Sequence, residues 1–240
     1  MRPGSSRSRL EGVLTTPHTG TGLILNTALE VLGRPAPGRA ALVDLPTGTG
    51  YLAIKAKDLG WDVRAYDIET SLWEGGAAVP VARADLNDRL PIESGSADAL
   101  VCCEGLEHIE NPWLVLREFH RVLAPGGRLV VSVPNTVDFR NRFRVLRRGY
   151  VGHYIPAVPD HINAMGTFVL AHALLRTGFS IRGIRAPRRY YPGIVTGLLR
   201  PLLRFRKECG LPEDVRALMS GSDVLFGRTV LFDALKAPAG

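Results

Sequence analysis

Residues 43–50 read Val-Asp-Leu-Pro-Thr-Gly-Thr-Gly. Gly48 and Gly50 let backbone N–H groups approach a ligand with no side chain in the way. A helix expected to start at Tyr51 turns its positive end toward this loop, which suits a carboxylate or another anion. Acids then recur at the ends of apolar runs. Asp67 follows the turn by about twenty residues, where a carboxylate accepts hydrogen bonds from both hydroxyls of a ribose. Asp85 closes the next run, and its carboxylate suits an adenine amino group. Glu104 closes the one after. A Gly-x-Gly turn also occurs as a plain tight turn, and a lone acid also occurs as a helix cap. The series of strand-end acids behind one turn is what points to a nucleotide-like ligand.

The chain has six histidines as candidate proton acceptors. His120 and His172 fall inside helical patterns and read as structural. His108, in Gly105-Leu106-Glu107-His108-Ile109, lies just beyond the fourth apolar run, where packing and catalysis both remain open. His161, in Pro159-Asp160-His161-Ile162, and His153 lie in a loosely patterned stretch. His161 and His108 are therefore the candidate bases. Arg140, Arg142, Arg144, Arg147 and Arg148 alternate with Phe139, Phe143 and Tyr150. Guanidinium forks hold phosphates and carboxylates bidentately, so Arg140, Arg144, Arg147 and His153 are the candidate acceptor-binding residues. No Cys-x-x-Cys pair is present to hold zinc, and no metal site is expected. Cys102 and Cys103 point to opposite faces of one strand.

These residues need a scaffold. Ala40–Asp44, Asp62–Ile68, Val79–Asp85, Ala97–Glu104 and Arg128–Val133 read as five strands. Tyr51–Leu59 reads as a helix ended by Gly60. A second helix starts at an Asn111 cap, carries Leu116, Phe119 and Leu123 on one face, and stops at Pro125-Gly126-Gly127. Thr167–Thr177 reads as a helix, Phe179–Arg185 as a sixth strand and Val224–Leu235 as the last. Alternating strands and helices imply an α/β fold, with a mostly parallel sheet covered on both faces. Such sheets bind ligands beyond the carboxyl ends of their strands, where Asp44, Asp67, Asp85 and Glu104 lie.

The 240 residues, 45 % hydrophobic and 22 % charged, fit one soluble globular domain. No apolar run is long enough to span a membrane and no secretory leader is expected, so the expected location is the cytoplasm. The net charge is +7, with +12 over residues 138–207 and −5 over the remainder. That asymmetry suggests an anionic partner for the basic part, against the plainer reading of a solvated basic surface. Ile194, Leu198, Leu202 and Phe205 share one side of a helical projection, opposite Arg200, Arg204 and Lys207. Residues 194–207 could rest on the inner membrane surface as a peripheral contact, or pack on their own domain. Nucleic acid ranks below a smaller anionic acceptor, because no RNA-binding module is recognisable.

Four segments together resemble the class I S-adenosylmethionine-dependent methyltransferases: LVDLPTGTGYLA, VRAYDIE, RADLNDRLPIESGSADALVCCEGLEHI and FHRVLAPGGRLVVSVPN. Weaker similarity to small-molecule and glycan-associated members follows in DHI, LLRTGFSI and SDVLFGRTVLFDALK. The resemblance implies a Rossmann-like three-layer sandwich with a seven-stranded, mostly parallel sheet and an antiparallel last strand. It implies a single domain over 1–240, with segments 136–165 and 186–222 covering the substrate side. It implies S-adenosyl-L-methionine as cofactor. Asp44, Gly48 and Gly50 would surround the methionine part, and Asp67 would hold the ribose. Ile68, Asp85 and Leu86 would frame the adenine, and Glu104 with the backbone of Cys103 would lie near the methionine amine. Pro46 departs from the family, which usually has glycine there. Proline fixes φ and donates no N–H. The implied activity is methyl transfer, mainly to oxygen of a small, glycan or lipid-linked acceptor. The alternative is an accessory protein that keeps the fold, and perhaps the cofactor, without turnover.

Overall fold

Seven strands pair in the order β3-β2-β1-β4-β5-β7-β6 in the computed structural model. They are β1 (Ala41–Asp44), β2 (Asp62–Asp67), β3 (Val81–Arg83), β4 (Ala97–Cys102), β5 (Leu123–Pro134), β6 (Phe179–Arg185) and β7 (Thr229–Lys236). The structure describes residues 20–152, 161–163, 165–187, 198–199, 201–203 and 205–237. Strands β3, β2, β1, β4 and β5 run parallel, and β7 inserts antiparallel between β5 and β6. This is the Rossmann-like sheet the sequence implied, with its antiparallel last strand.

Strand alternation divides the core into two layers. Val43, Leu100, Cys102, Leu129, Val131 and Phe232 belong to one. Leu42, Ala99, Val101, Cys103, Val130 and Leu231 belong to the other. The adjacent cysteines thus face opposite sides, as their spacing requires. The described α-helices are α1 (Gly20–Leu32), α2 (Tyr51–Asp58), α3 (Pro112–Val122), α4 (Phe139–Arg148), α5 (Thr167–Arg176), α6 (Glu213–Met219) and α7 (Ser222–Phe226). Buried residues of α1 and α2 fill the second layer, and those of α3, α5 and α6 fill the first.

Local chemistry sets the boundaries. The Asn111 side chain accepts from the Leu114 N–H at 3.0 Å, and Pro112 starts α3. Val115, Leu116, Phe119 and Val122 form its buried stripe. Two expectations need correction. Strand β5 begins at Leu123, so Pro125-Gly126-Gly127 lies inside it at a register shift. A bulge absorbs the proline's missing donor. Val224–Leu235 is also not one strand. Residues 222–226 are helical, and β7 starts only at Thr229. The Arg-rich stretch after β5 folds as α4, capped at its start by Asp138 and at its end by Gly149 with φ +76°.

Candidate active site

The carboxyl ends of β1, β2 and β4 converge on the glycine turn. Gly48 and Gly50 take φ values of +56° and +91°, which glycine adopts without strain. The Gly48 N–H donates to Asp67 Oδ2 at 2.8 Å, and the Glu69 N–H donates to Asp67 Oδ1 at 3.0 Å. Asp67 therefore ties the turn to the end of β2. A Cβ on Gly50 would stand 2.5 Å from the Trp73 ring, so that indole lies directly against the turn. Pro46 closes the turn toward β4, since a Cβ on Gly105 would stand 2.8 Å from its Cδ. Pro46 thus packs on a residue that must be small.

Asp44 is buried behind the turn and accepts from Thr47 Oγ1 at 2.7 Å. Burial pushes its carboxyl up to about 7 and the charge of Asp67 adds to the rise, against the opposing Thr47 hydrogen bond. Glu104 has φ +53°, a conformation that costs a non-glycine residue strain. Its N–H donates to Ser132 Oγ of β5 at 2.9 Å. Burial lifts the Glu104 carboxyl above the usual carboxylate range, and the charge of Glu107 lifts it further. Burial likewise lifts Glu107 and drives the Cys103 thiol well up, keeping the thiol protonated.

A cavity of about 270 Å³ opens beside the turn. Pro46, Ile68, Asp85, Leu86, Glu104 and His108 are among the residues lining it. Five of the sequence-nominated residues thus meet in one space. Asp85 is half-buried and also accepts from Asn87, through both its backbone and side-chain nitrogens. Ile68 is 51 % exposed, an apolar side chain at the rim. Asp44, Gly48, Gly50, Asp67 and Cys103 are not among the lining residues and belong to the turn and its support. His161 meets His108 edge-on, with ring centroids 5.0 Å apart.

Arg140, Arg144 and Arg147 line a different cavity, of about 250 Å³, along α4 with Phe139, Phe143 and Arg148. It shares no lining residue with the first. Arg142 departs from the expected basic cluster. It turns inward, donates to the Val137 and Leu203 carbonyls, and lies 4.9 Å over the Phe205 ring. His153 lies outside the described residues, as do Ile194, Arg200 and Arg204 of the proposed membrane helix.

Sequence reasoning missed Glu107, Trp73 and Ser132. Glu107, which the sequence reading named only as a neighbour of His108, is 1 % exposed. Its position directly before His108, on the 3-10 turn Leu106–His108, was the available signal.

The strand order and the glycine turn agree with the resemblance to class I S-adenosylmethionine-dependent methyltransferases. Residues 43–131 match the Methyltransf_11 family, described as a methyltransferase domain. The ubiquinone biosynthesis O-methyltransferase of Xanthomonas axonopodis pv. citri is 29 % identical over 139 residues, covering 55 % of this chain and 58 % of that protein. The chain spans a little over half the length of such relatives. In overall fold it is similar to a SAM-dependent methyltransferase from Archaeoglobus fulgidus, with TM-score 0.63, 15 % identity, and coverage of 97 % of this chain and 100 % of that one. It is also similar to the [4+2]-cyclase SpnF, with TM-score 0.62, 16 % identity, and coverage of 97 % and 93 %. At these identities the structures speak for the fold alone.

Proposed function

We propose that the protein transfers a methyl group from S-adenosylmethionine to an oxygen atom of a small, glycan or lipid-linked acceptor. One observation carries the reading: Ile68, Asp85 and Leu86 share a single cavity with Glu104 and His108. The former suit an adenine, and the latter suit the amine end and the reacting centre. When bound, the cofactor supplies an already activated methyl group, so the chain has mainly to align and to exclude water. The residues fit that group. A Cβ on Gly48 would meet nothing within 4 Å, so the turn is open to a ligand on that side. The Asp67 oxygens keep lone pairs for two ribose hydroxyls beside their backbone bonds. The exposed face of Ile68 offers an aromatic base an apolar surface.

A hydroxyl acceptor must lose a proton, whereas a carboxylate or phosphate need not. His108 and His161, in edge-on contact, are the candidate acceptors of that proton. The oxygen preference draws on the printed name of the Xanthomonas relative. The anionic character of the acceptor draws on the α4 cavity and on exposed Arg140, Arg147 and Arg148. Contact with an anionic membrane surface is part of the same reading, since Phe143 and Leu146 are 53 % and 85 % exposed on that helix.

Calorimetry with S-adenosylmethionine, its demethylated product and NADH tests the cofactor. Tight NADH binding with no response to the other two overturns the reading. Turnover against a panel of hydroxylated aromatic, glycan and lipid acceptors tests the chemistry. Cofactor binding without turnover on any acceptor favours the accessory alternative.

A further inference from the structure

Glu107 has a carboxylate that the proposed methyl transfer does not use. It is 1 % exposed, and neither oxygen has a hydrogen-bond partner among the described residues. A buried ionised carboxylate without a partner is strongly unfavourable, and a bound cation is one way to relieve that cost. The 3-10 turn Leu106–His108 sets His108 directly beside it. A second chain segment brings His161 to the same place. The Asn163 N–H donates to the Glu107 carbonyl at 3.0 Å, and Asn163 Nδ2 donates to the Glu110 carbonyl at 3.3 Å, pinning 161–163 against the turn. One ligand atom each from Glu107, His108 and His161 falls within 4.8 Å of the other two.

We propose that Glu107, His108 and His161 form a binding site for a divalent transition-metal ion. Two imidazoles and one carboxylate are a donor set that zinc, manganese and iron(II) accept with coordination positions left open. Ligands on one such ion stand roughly 3 Å apart, given bonds of about 2.0–2.2 Å. The donors must therefore draw in by roughly 1–2 Å. His108 is exposed and His161 half-buried. The sequence offered no metal motif because the ligands come from segments more than fifty residues apart.

His108 also lines the 270 Å³ cavity, which places the ion at its wall. With the ion bound, both imidazoles are ligands and no longer proton acceptors. The open positions then suit an acceptor that presents two adjacent oxygens, such as a vicinal diol or a catechol, whose hydroxyl the ion makes acidic enough to release its proton to water. That role rests on the methyl-transfer reading, whereas ion binding itself does not.

The test uses the full-length, tag-free chain stripped with a chelator and titrated calorimetrically with zinc chloride and with manganese chloride. S-adenosylmethionine binding is measured on the same samples. One ion per chain is expected, with Glu107→Gln and His161→Ala each weakening it at least tenfold and leaving cofactor affinity within about twofold. His161 is half-buried, so its replacement keeps the test decisive even where Glu107→Gln fails to fold. No ion binding to the wild type, or binding unchanged by His161→Ala, overturns the site. Cofactor binding without the ion leaves the methyl-transfer reading standing and overturns this one. An ion without cofactor binding does the reverse.

Discussion

The Gly48 N–H donates to Asp67 Oδ2 at 2.8 Å, so the residue expected to hold the cofactor ribose also holds the glycine turn in place. Its other oxygen accepts from the Glu69 N–H at 3.0 Å. Asp67 is buried, and no base or guanidinium shares these bonds among the hydrogen bonds described.

Asp67→Ala should therefore act twice. Hydrogen bonds to a charged acceptor contribute roughly 1.5–3 kcal/mol each. The apo protein should lose on the order of 2 kcal/mol in urea unfolding, as the turn loosens. Cofactor affinity should fall at least tenfold. Asp67→Asn keeps two acceptor lone pairs and should fall between. A dissociation constant unchanged in Asp67→Ala would place the ribose elsewhere.

Glu104 offers a separate test, because its backbone is strained. A left-handed conformation costs an L-residue roughly 1–2 kcal/mol, and glycine avoids it at about 0.5–1 kcal/mol of chain entropy. Glu104→Gly and Glu104→Ala both remove the buried carboxyl, and they differ in that strain. The glycine variant should be more stable than the alanine variant by on the order of 1 kcal/mol. Both should bind the cofactor more weakly than wild type. Coincident urea midpoints for the two would mean that φ +53° carries no strain.

The buried Asp44 carboxyl makes stability depend on pH in an unusual direction. Its ordinary value of 3.8 rises to about 7 in the fold, chiefly through burial. The folded state therefore keeps a proton that the unfolded chain has released. The contribution of this group is fully present below about pH 4 and is lost as pH rises toward about 7, by at most about 1.4 kcal/mol per pH unit. In the ion-free chain Glu104 and Glu107 shift the same way and steepen the fall. Asp44→Asn carries no titrating proton and still accepts from Thr47. It should flatten the pH profile by up to one proton and be the more stable protein at pH 8. Parallel profiles for wild type and variant from pH 4 to 8 would show that Asp44 ionises normally.

The parts of this arrangement that were legible in the sequence share a cause. Strands β1 and β4 are largely apolar runs and β2 alternates exposed and buried residues, each ended by a polar or glycine turn, and Asn111-Pro112 announces a helix start unaided. The acids at the strand ends then fall beside the turn because parallel strands point the same way. Val224–Phe226 misled because all three residues are buried, and a short buried helix shows the same unbroken apolar run as a strand. Glu107 and His161 were illegible as a pair, since it is the fold, through the Asn163 bonds to the Glu107 and Glu110 carbonyls, that brings their segments together. The arginines of 140–148 read as one cluster. The helix directs Arg142 to Phe205 and leaves Arg140, Arg147 and Arg148 outside.

The sequence reading places a membrane contact at 194–207 and an acceptor site on 140–148; the division of α4 offers a second surface on which to test membrane contact. Leu146, 85 % exposed, and Phe143, 53 % exposed, share the helix with exposed Arg140, Arg147 and Arg148. An apolar tip ringed by guanidinium groups is suited to the interface of an anionic bilayer, where each basic residue near the surface adds about 1 kcal/mol of attraction. Flotation with vesicles containing phosphatidylserine should carry the protein upward at low salt. Rising ionic strength should release it, because such attraction is screened over about 8 Å at physiological salt. Replacing Arg140, Arg147 and Arg148 with Gln should weaken flotation at every salt concentration. Leu146→Asp should weaken it with little change in the salt dependence, since it removes insertion while keeping the guanidinium groups. Arg142→Gln should instead lower the melting temperature, because its donors serve the Val137 and Leu203 carbonyls. None of the surface changes touches the Asp67 turn, so cofactor affinity should hold in all of them. A wild-type protein that stays at the bottom of the gradient at low salt would end the membrane reading and leave α4 as a site for a soluble anionic acceptor.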